Sequence, residues 1–112
     1  MSIFDSMVEC GDVLSDLARE LSEWSQATFG SDSERGPIGP LKHLEAEAKE
    51  AQENPTDITE YADILILLID AARRAKIKPL ELIKAAYAKL QVCKTRTYPK
   101  PLTDEPSYHV KS

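Results

Sequence analysis

The stretch HLEAEAKEAQENPTDITEYADILILLID, residues 43–70, decides the fold. It carries two acidic pairs at three-residue spacing, Glu47 with Glu50 and Glu60 with Asp63, on either side of the turn signal Asn54-Pro55-Thr56. Side chains three apart on a helix share a face, about 5–6 Å apart at Cβ. The turn predicts two antiparallel helices with the pairs facing each other. Four carboxylates converging in a small helical protein repel one another unless a cation lies between them. Hard oxygen ligands of this kind suit Mg2+ or Mn2+ rather than zinc, so the reading is a divalent-metal site that meets phosphates.

The second of these helices starts near Asp57 and is expected to run to about Lys76. Asp57 followed by Glu60 also fits a capping box, in which Glu60 only bonds the first backbone amide. Capping does not account for Asp63, which precedes six consecutive apolar residues, Ile64 to Ile69. Such a run covers every side of a helix and predicts one that is buried all round. Asp70 follows Asp63 by seven residues, on the same face and about 10.5 Å along the axis. A carboxylate beside so apolar a run needs company, because an unpaired buried charge is costly. Either an arginine or lysine meets it, or it faces a substrate pocket.

Upstream, residues 3–28 read as a first helix. Phe4, Met7, Val8, Leu14, Leu17, Leu21 and Trp24 recur at spacings of three and four, with Asp12, Asp16, Arg19, Glu20 and Glu23 on the other side. Gly11 is a weak point inside it, costing about 1 kcal/mol relative to alanine. Trp24 is either core or a platform on which a nucleobase stacks. Phe29 to Pro40, with three glycines and two prolines, reads as a loop. Its one base, Arg35, either reaches a phosphate or is simply solvated. Pro40 suits the first turn of a second helix ending near Glu53. His43, four residues before Glu47, shares its face and either orients that carboxylate, touches substrate or lies on the surface.

Downstream, Pro79 opens a fourth helix, with Glu81 in its first turn and Leu80, Ile83, Ala86, Tyr87 and Leu90 as the apolar stripe. Lys89, Lys94 and Arg96 gather at its end, where they either complement the helix dipole or bind phosphate. Residues 99–112 hold prolines 99, 101 and 106 and lack helical periodicity. The expected architecture is all-α, a four-helix bundle over residues 1–98 followed by a proline-containing tail, 99–112. Four short helices offer little to surround an all-apolar helix, which points to a homodimer or homotetramer.

The composition agrees with one globular domain. The chain has 112 residues, 42% hydrophobic and 29% charged. The run Ile64–Ile69 is too short to cross a bilayer, and Met1–Asp5 is not the start of a secretory signal, so no membrane partner is expected. Cys10 and Cys93 read as free thiols in a cytoplasmic setting. Residues 1–60 carry 14 acids and 4 bases, whereas residues 61–112 carry 5 acids and 10 bases. That division fits a metal bridging protein carboxylates to an anionic substrate whose far end meets Lys and Arg, and equally fits solvated faces that differ by chance. No basic, aromatic-interleaved face of a nucleic-acid binder is present.

Laid out this way, the chain resembles the MazG-like all-α nucleotide pyrophosphohydrolases, whose signature is an E-x-x-E pair on one helix and an E-x-x-D pair on the next. Within that family it is similar to the dATP/dGTP diphosphohydrolase branch, some members of which are encoded by phages. The matching stretches are Trp24-Ser25-x-x-Thr28-Phe29-Gly30, His43-Leu44-x-x-Glu47, Glu60-x-x-Asp63 with Asp70, and Lys89 through Arg96 to Pro99. Cys93 and Tyr98 depart from the asparagine and tryptophan common in relatives. The resemblance implies cleavage of a nucleoside triphosphate to monophosphate and pyrophosphate, in the host cytoplasm if phage-encoded. It implies Mg2+, with Mn2+ able to substitute, held by Glu47, Glu50, Glu60 and Asp63, and Glu47 or Glu50 as general base. Trp24, Asp70 and the 29–40 loop with Arg35 are then expected at the base, His43 near the substrate, and Lys89, Lys94 and Arg96 toward the phosphates. A purine preference is expected. A dCTP- or dUTP-directed enzyme and a non-enzymatic helical interaction module stand as alternatives.

Overall fold

The computed structural model describes residues 3–110, with side chains from Asp12 to Val110. Four helices follow in order: α1 (Ile3–Phe29), α2 (Ile38–Glu53), α3 (Ile58–Arg74) and α4 (Pro79–Lys94). Phe4, Met7 and Val8 of the expected first stripe, and the expected free thiol Cys10, lie outside the described side chains. No helix among the described residues is long and apolar enough to cross a membrane.

Each boundary has a local cause. Gly30 ends α1 in the left-handed region, at φ +115°, with its N–H on the Gln26 carbonyl. A Cβ there would strain the backbone and stand 3.2 Å from Cδ of Arg35, which would have to shift. Helix α2 begins at Ile38, two residues before the Pro40 expected to open it. Pro40 still falls in the first turn, where its missing N–H leaves no bond unmade. At α3 Asp57 caps the N-terminus, accepting from the Thr59 N–H at 2.9 Å. The helix stops at Arg74, short of the expected Lys76. There Lys76 takes φ +67°, Ile77 N–H reaches the Ala72 carbonyl and Lys76 N–H the Arg73 carbonyl, a Schellman closure. Pro79 opens α4 after an extended Lys78, as expected.

Helix α3 packs against each of the other three, α2 packs on α3 alone, and α4 rests mainly on α1. Ala18, Leu21 and Ile69 form the buried centre, with Leu14, Leu17 and Ile66 around it. The expectation that α3 is buried all round is corrected within this single chain. Ile58, Tyr61, Leu65 and Leu68, which share one helical face, stay exposed because none of the three neighbouring helices covers it. Tyr87 and Leu90 of the α4 stripe are also about half exposed. Residues 97–110 fold back on themselves: Val110 N–H bonds the Thr97 carbonyl, Ser107 Oγ donates to the Pro99 carbonyl, and Tyr98 meets His109 edge-on.

Candidate metal centre and adjoining cavity

The α2–α3 pair brings three of the four expected acids together, and Glu50 is not among them. One carboxylate oxygen each from Glu47, Glu60 and Asp63 lies within 4.8 Å of the others. Glu47 Oε2 and Glu60 Oε2 are buried without a hydrogen-bond partner. A buried polar atom left unmatched is costly, and three hard oxygens around one point are the donor set a divalent cation takes. The residues present therefore fit Mg2+ or Mn2+. Glu50 stands beside Glu47 and is more exposed.

The electrostatics show the same crowding. Glu47 is pushed up from its ordinary value by the neighbouring Glu50 carboxyl first, then by burial and by the Asp63 charge. His43 opposes this, its Nε2 lying 3.2 Å from Glu47 Oε1. Glu60 is pushed up by burial first and by Glu50, Asp57 and Asp63 after that. The capping box has only half its expected form. Asp57 accepts from the Thr59 N–H and Oγ1, while Glu60 leaves its Oε2 unpartnered toward the other acids.

A cavity of about 290 Å³ opens directly from the carboxylates, lined by Leu21, Trp24, Phe29, Ile66 and Leu67 with Glu47, Asp63, His43 and Asp70. Trp24 is not core: it is 54% exposed at this cavity, its ring edge-to-face on Phe29 with centroids 5.3 Å apart. A second hollow of about 170 Å³ shares Phe29, His43, Leu67 and Asp70 and adds Arg35, Gly39, Pro40 and Arg74. Arg35 folds back, donating from Nη1 to the Phe29 carbonyl.

Asp70 meets its arginines. Its Oδ1 accepts from Arg73 Nη2 at 2.7 Å and Nε at 3.2 Å, and its Oδ2 accepts from Ser25 Oγ at 2.8 Å. Sequence reading gave no role to Ser25, Asp32, Arg73 or Arg74. Arg73 and Arg74 follow Asp70 at i+3 and i+4, the spacing of helical ion pairs, which was the available signal. Lys89, Lys94 and Arg96 line neither cavity. Since α4 ends at Lys94, Arg96 lies past the helix and does not share a helical face with Lys89.

The chain is similar to several known proteins. A family model described as dATP/dGTP pyrophosphohydrolase matches residues 17–112. The chain is 46% identical over 95 residues to the Eaa protein of Salmonella phage P22, a match covering 85% of this chain and 29% of that relative. The chain thus spans less than a third of the relative's length. Its fold is that of the cyanophage S-2L MazG-like pyrophosphohydrolase, with a TM-score of 0.68 at 24% identity, covering 88% of this chain and 97% of that one. That protein was solved bound to dGDP and three catalytic Mn2+ ions per active site.

Proposed function

The chain belongs to the dATP/dGTP pyrophosphohydrolase family, and from that membership we propose that it hydrolyses purine (deoxy)nucleoside triphosphates to the monophosphate and pyrophosphate. The observation that carries this reading is the trio Glu47, Glu60 and Asp63, with its two orphaned buried oxygens, opening onto an aromatic-rimmed cavity. The dGDP and Mn2+ held by the structural neighbour support it. In this reading Glu47, Glu60 and Asp63, with Glu50 beside them, would hold divalent ions, which would supply neutralisation of phosphate charge and a lowered pKa for water.

The chain's own groups account for the remainder. Attack of a water oxygen on the α-phosphorus forms the new P–O bond and breaks the bond to the α–β bridging oxygen, releasing pyrophosphate. Glu47 or Glu50 takes the water's proton, and His43, 3.2 Å from Glu47, orients that carboxylate. Trp24 offers a stacking face for the base at the cavity. Arg35 stands at the adjoining hollow, on the substrate side. Lys89, Lys94 and Arg96 hold the departing pyrophosphate from a second copy of the chain. The exposed Tyr61, Leu65 and Leu68 face supports assembly into a homodimer or homotetramer. The phage relative supports action in a host cytoplasm.

A panel of eight common NTPs and dNTPs with Mg2+ or Mn2+ tests the proposal. Pyrophosphate and a monophosphate should appear, with dGTP or dATP leading. Orthophosphate as first product excludes attack at the α-phosphorus. A dCTP or dUTP optimum retains the chemistry and moves the specificity. No metal-dependent turnover leaves an interaction module.

A further inference from the structure

A second polar assembly, separate from the carboxylate trio, ties the loop after α1 to the last turn of α3. Arg74, its side chain 1% exposed, donates from Nη2 to the Gly30 carbonyl and from Nη1 to the Arg35 carbonyl, both at 3.2 Å. One guanidinium thus fastens both ends of residues 30–35. Its Nη2 also reaches Ser25 Oγ at 2.9 Å, and Ser25 is wholly buried. Between those ends, Asp32 accepts two bonds from Arg73 Nη1, each 2.8 Å, while Arg73 Nε and Nη2 hold Asp70. Two carboxylates match two guanidiniums, so the assembly carries no net charge.

What is fastened reaches the cavity. Arg35 of the fastened segment lines the 170 Å³ hollow beside Gly39 and Pro40 of α2, and Asp70 and Arg74 of the clasp line it too. A buried ion-pair network adds little stability over apolar packing of the same volume, and its better-attested use is to specify one arrangement. An arginine fork is suited to this because its donors are fixed in a plane.

We infer that Asp32, Asp70, Arg73 and Arg74 are positioning residues, a clasp that holds residues 30–36 in the conformation that admits the nucleotide. The inference rests on the proposed function for the identity of the ligand. Apparent affinity falls in proportion to the fraction of molecules with the loop in place. Loosening the clasp therefore raises KM and leaves kcat and metal binding alone.

Arg35 makes the clasp readable without activity: trypsin takes the chain in an extended form, and the Arg74 bond to the Arg35 carbonyl holds that peptide in place. In Asp32→Asn, cleavage at Arg35, followed by mass spectrometry, should rise about tenfold, and KM should rise about tenfold with kcat within about twofold. The Mn2+-induced rise in Tm should match the wild type, and Asp32→Glu should restore both KM and resistance to trypsin. Arg74→Lys, which keeps the charge and loses the fork, should act in the same direction if Asp32→Asn folds poorly. Unchanged cleavage at Arg35, or a fall in kcat at constant KM, overturns the clasp. Absence of turnover by the wild type overturns the proposed function, and with it the nucleotide part of this inference. The trypsin result still decides whether the loop is clasped.

Discussion

Glu47 on α2 and Glu60 on α3 each keep one carboxylate oxygen buried without a hydrogen-bond partner, and their facing oxygens lie within 4.8 Å of each other. Nothing in a packed helical hairpin favours that arrangement, since like charges repel and each lost hydrogen bond adds a desolvation cost. The unfavourable term is removed when a cation enters, so the hairpin stores in the protein what metal binding returns.

Metal should therefore stabilise the fold measurably. At about a hundredfold excess over Kd, Mn2+ or Mg2+ should add about 2.7 kcal/mol, read as a rise in Tm. In Asp63→Ala and Glu50→Ala the metal-free protein should be at least as stable as wild type, because a repelling charge is gone. Asp63→Ala should lose most of the metal-induced rise, and both variants should lose turnover. Near-normal turnover by either removes it from the centre.

Much of this was legible beforehand, and for one reason. The helical period and the Asn54-Pro55-Thr56 turn dictate an antiparallel hairpin, and the hairpin then dictates which acids meet. The aromatic rim was harder to read: Trp24 lies on an apolar stripe, and only its exposure at the cavity, edge-on to Phe29 of the same helix, shows that it is not core. That the other helices leave part of α3 bare was expected, but not that Tyr61, Leu65 and Leu68 form the bare face, because an apolar run looks alike on every side. The clasp needed tertiary contact between residues more than forty apart, such as Ser25 with Asp70, which no local pattern encodes.

Trp24→Ala should weaken nucleotide binding by about 1–3 kcal/mol, the usual range for losing a base-stacking face, seen as a higher KM across purine substrates. Trp24→Phe should recover most of it. If Trp24 serves only to pack on Phe29, KM will hold steady and only Tm will fall.

Asp32 gives the fold an acid limit. The hydrogen bond from Arg73, then the Arg73, Arg74 and Lys76 charges, hold its carboxyl below the ordinary value of 3.8, against a smaller opposing effect of burial. A carboxyl depressed on folding contributes stability that is fully present above its unfolded pKa and lost as pH falls through its folded one. The stability difference between wild type and Asp32→Asn should thus be constant at neutral pH and shrink below pH 3.8, measured by urea unfolding. A difference that grows on acidification contradicts the Arg73 pairing.

Lys89 and Arg96 line neither cavity of their own chain, and the proposed role at the phosphates places them at the site of a second copy. Loss of one charge-assisted phosphate contact should lower kcat/KM by about 1.5–3 kcal/mol, roughly ten- to hundredfold. The subunit that supplies it can be identified by mixing. Combining Asp63→Ala with Lys89→Ala protein creates dimers in which one site has both defects and the other has neither. With random pairing, half the dimers are mixed and half their sites intact, so about a quarter of wild-type activity should return. If Lys89 served the site of its own chain, every site in the mixture would keep a defect and nothing would be regained. Sedimentation at micromolar concentration must also show at least a dimer. A 12.5 kDa monomer with full activity would return Lys89 and Arg96 to the plain task of complementing the end of α4.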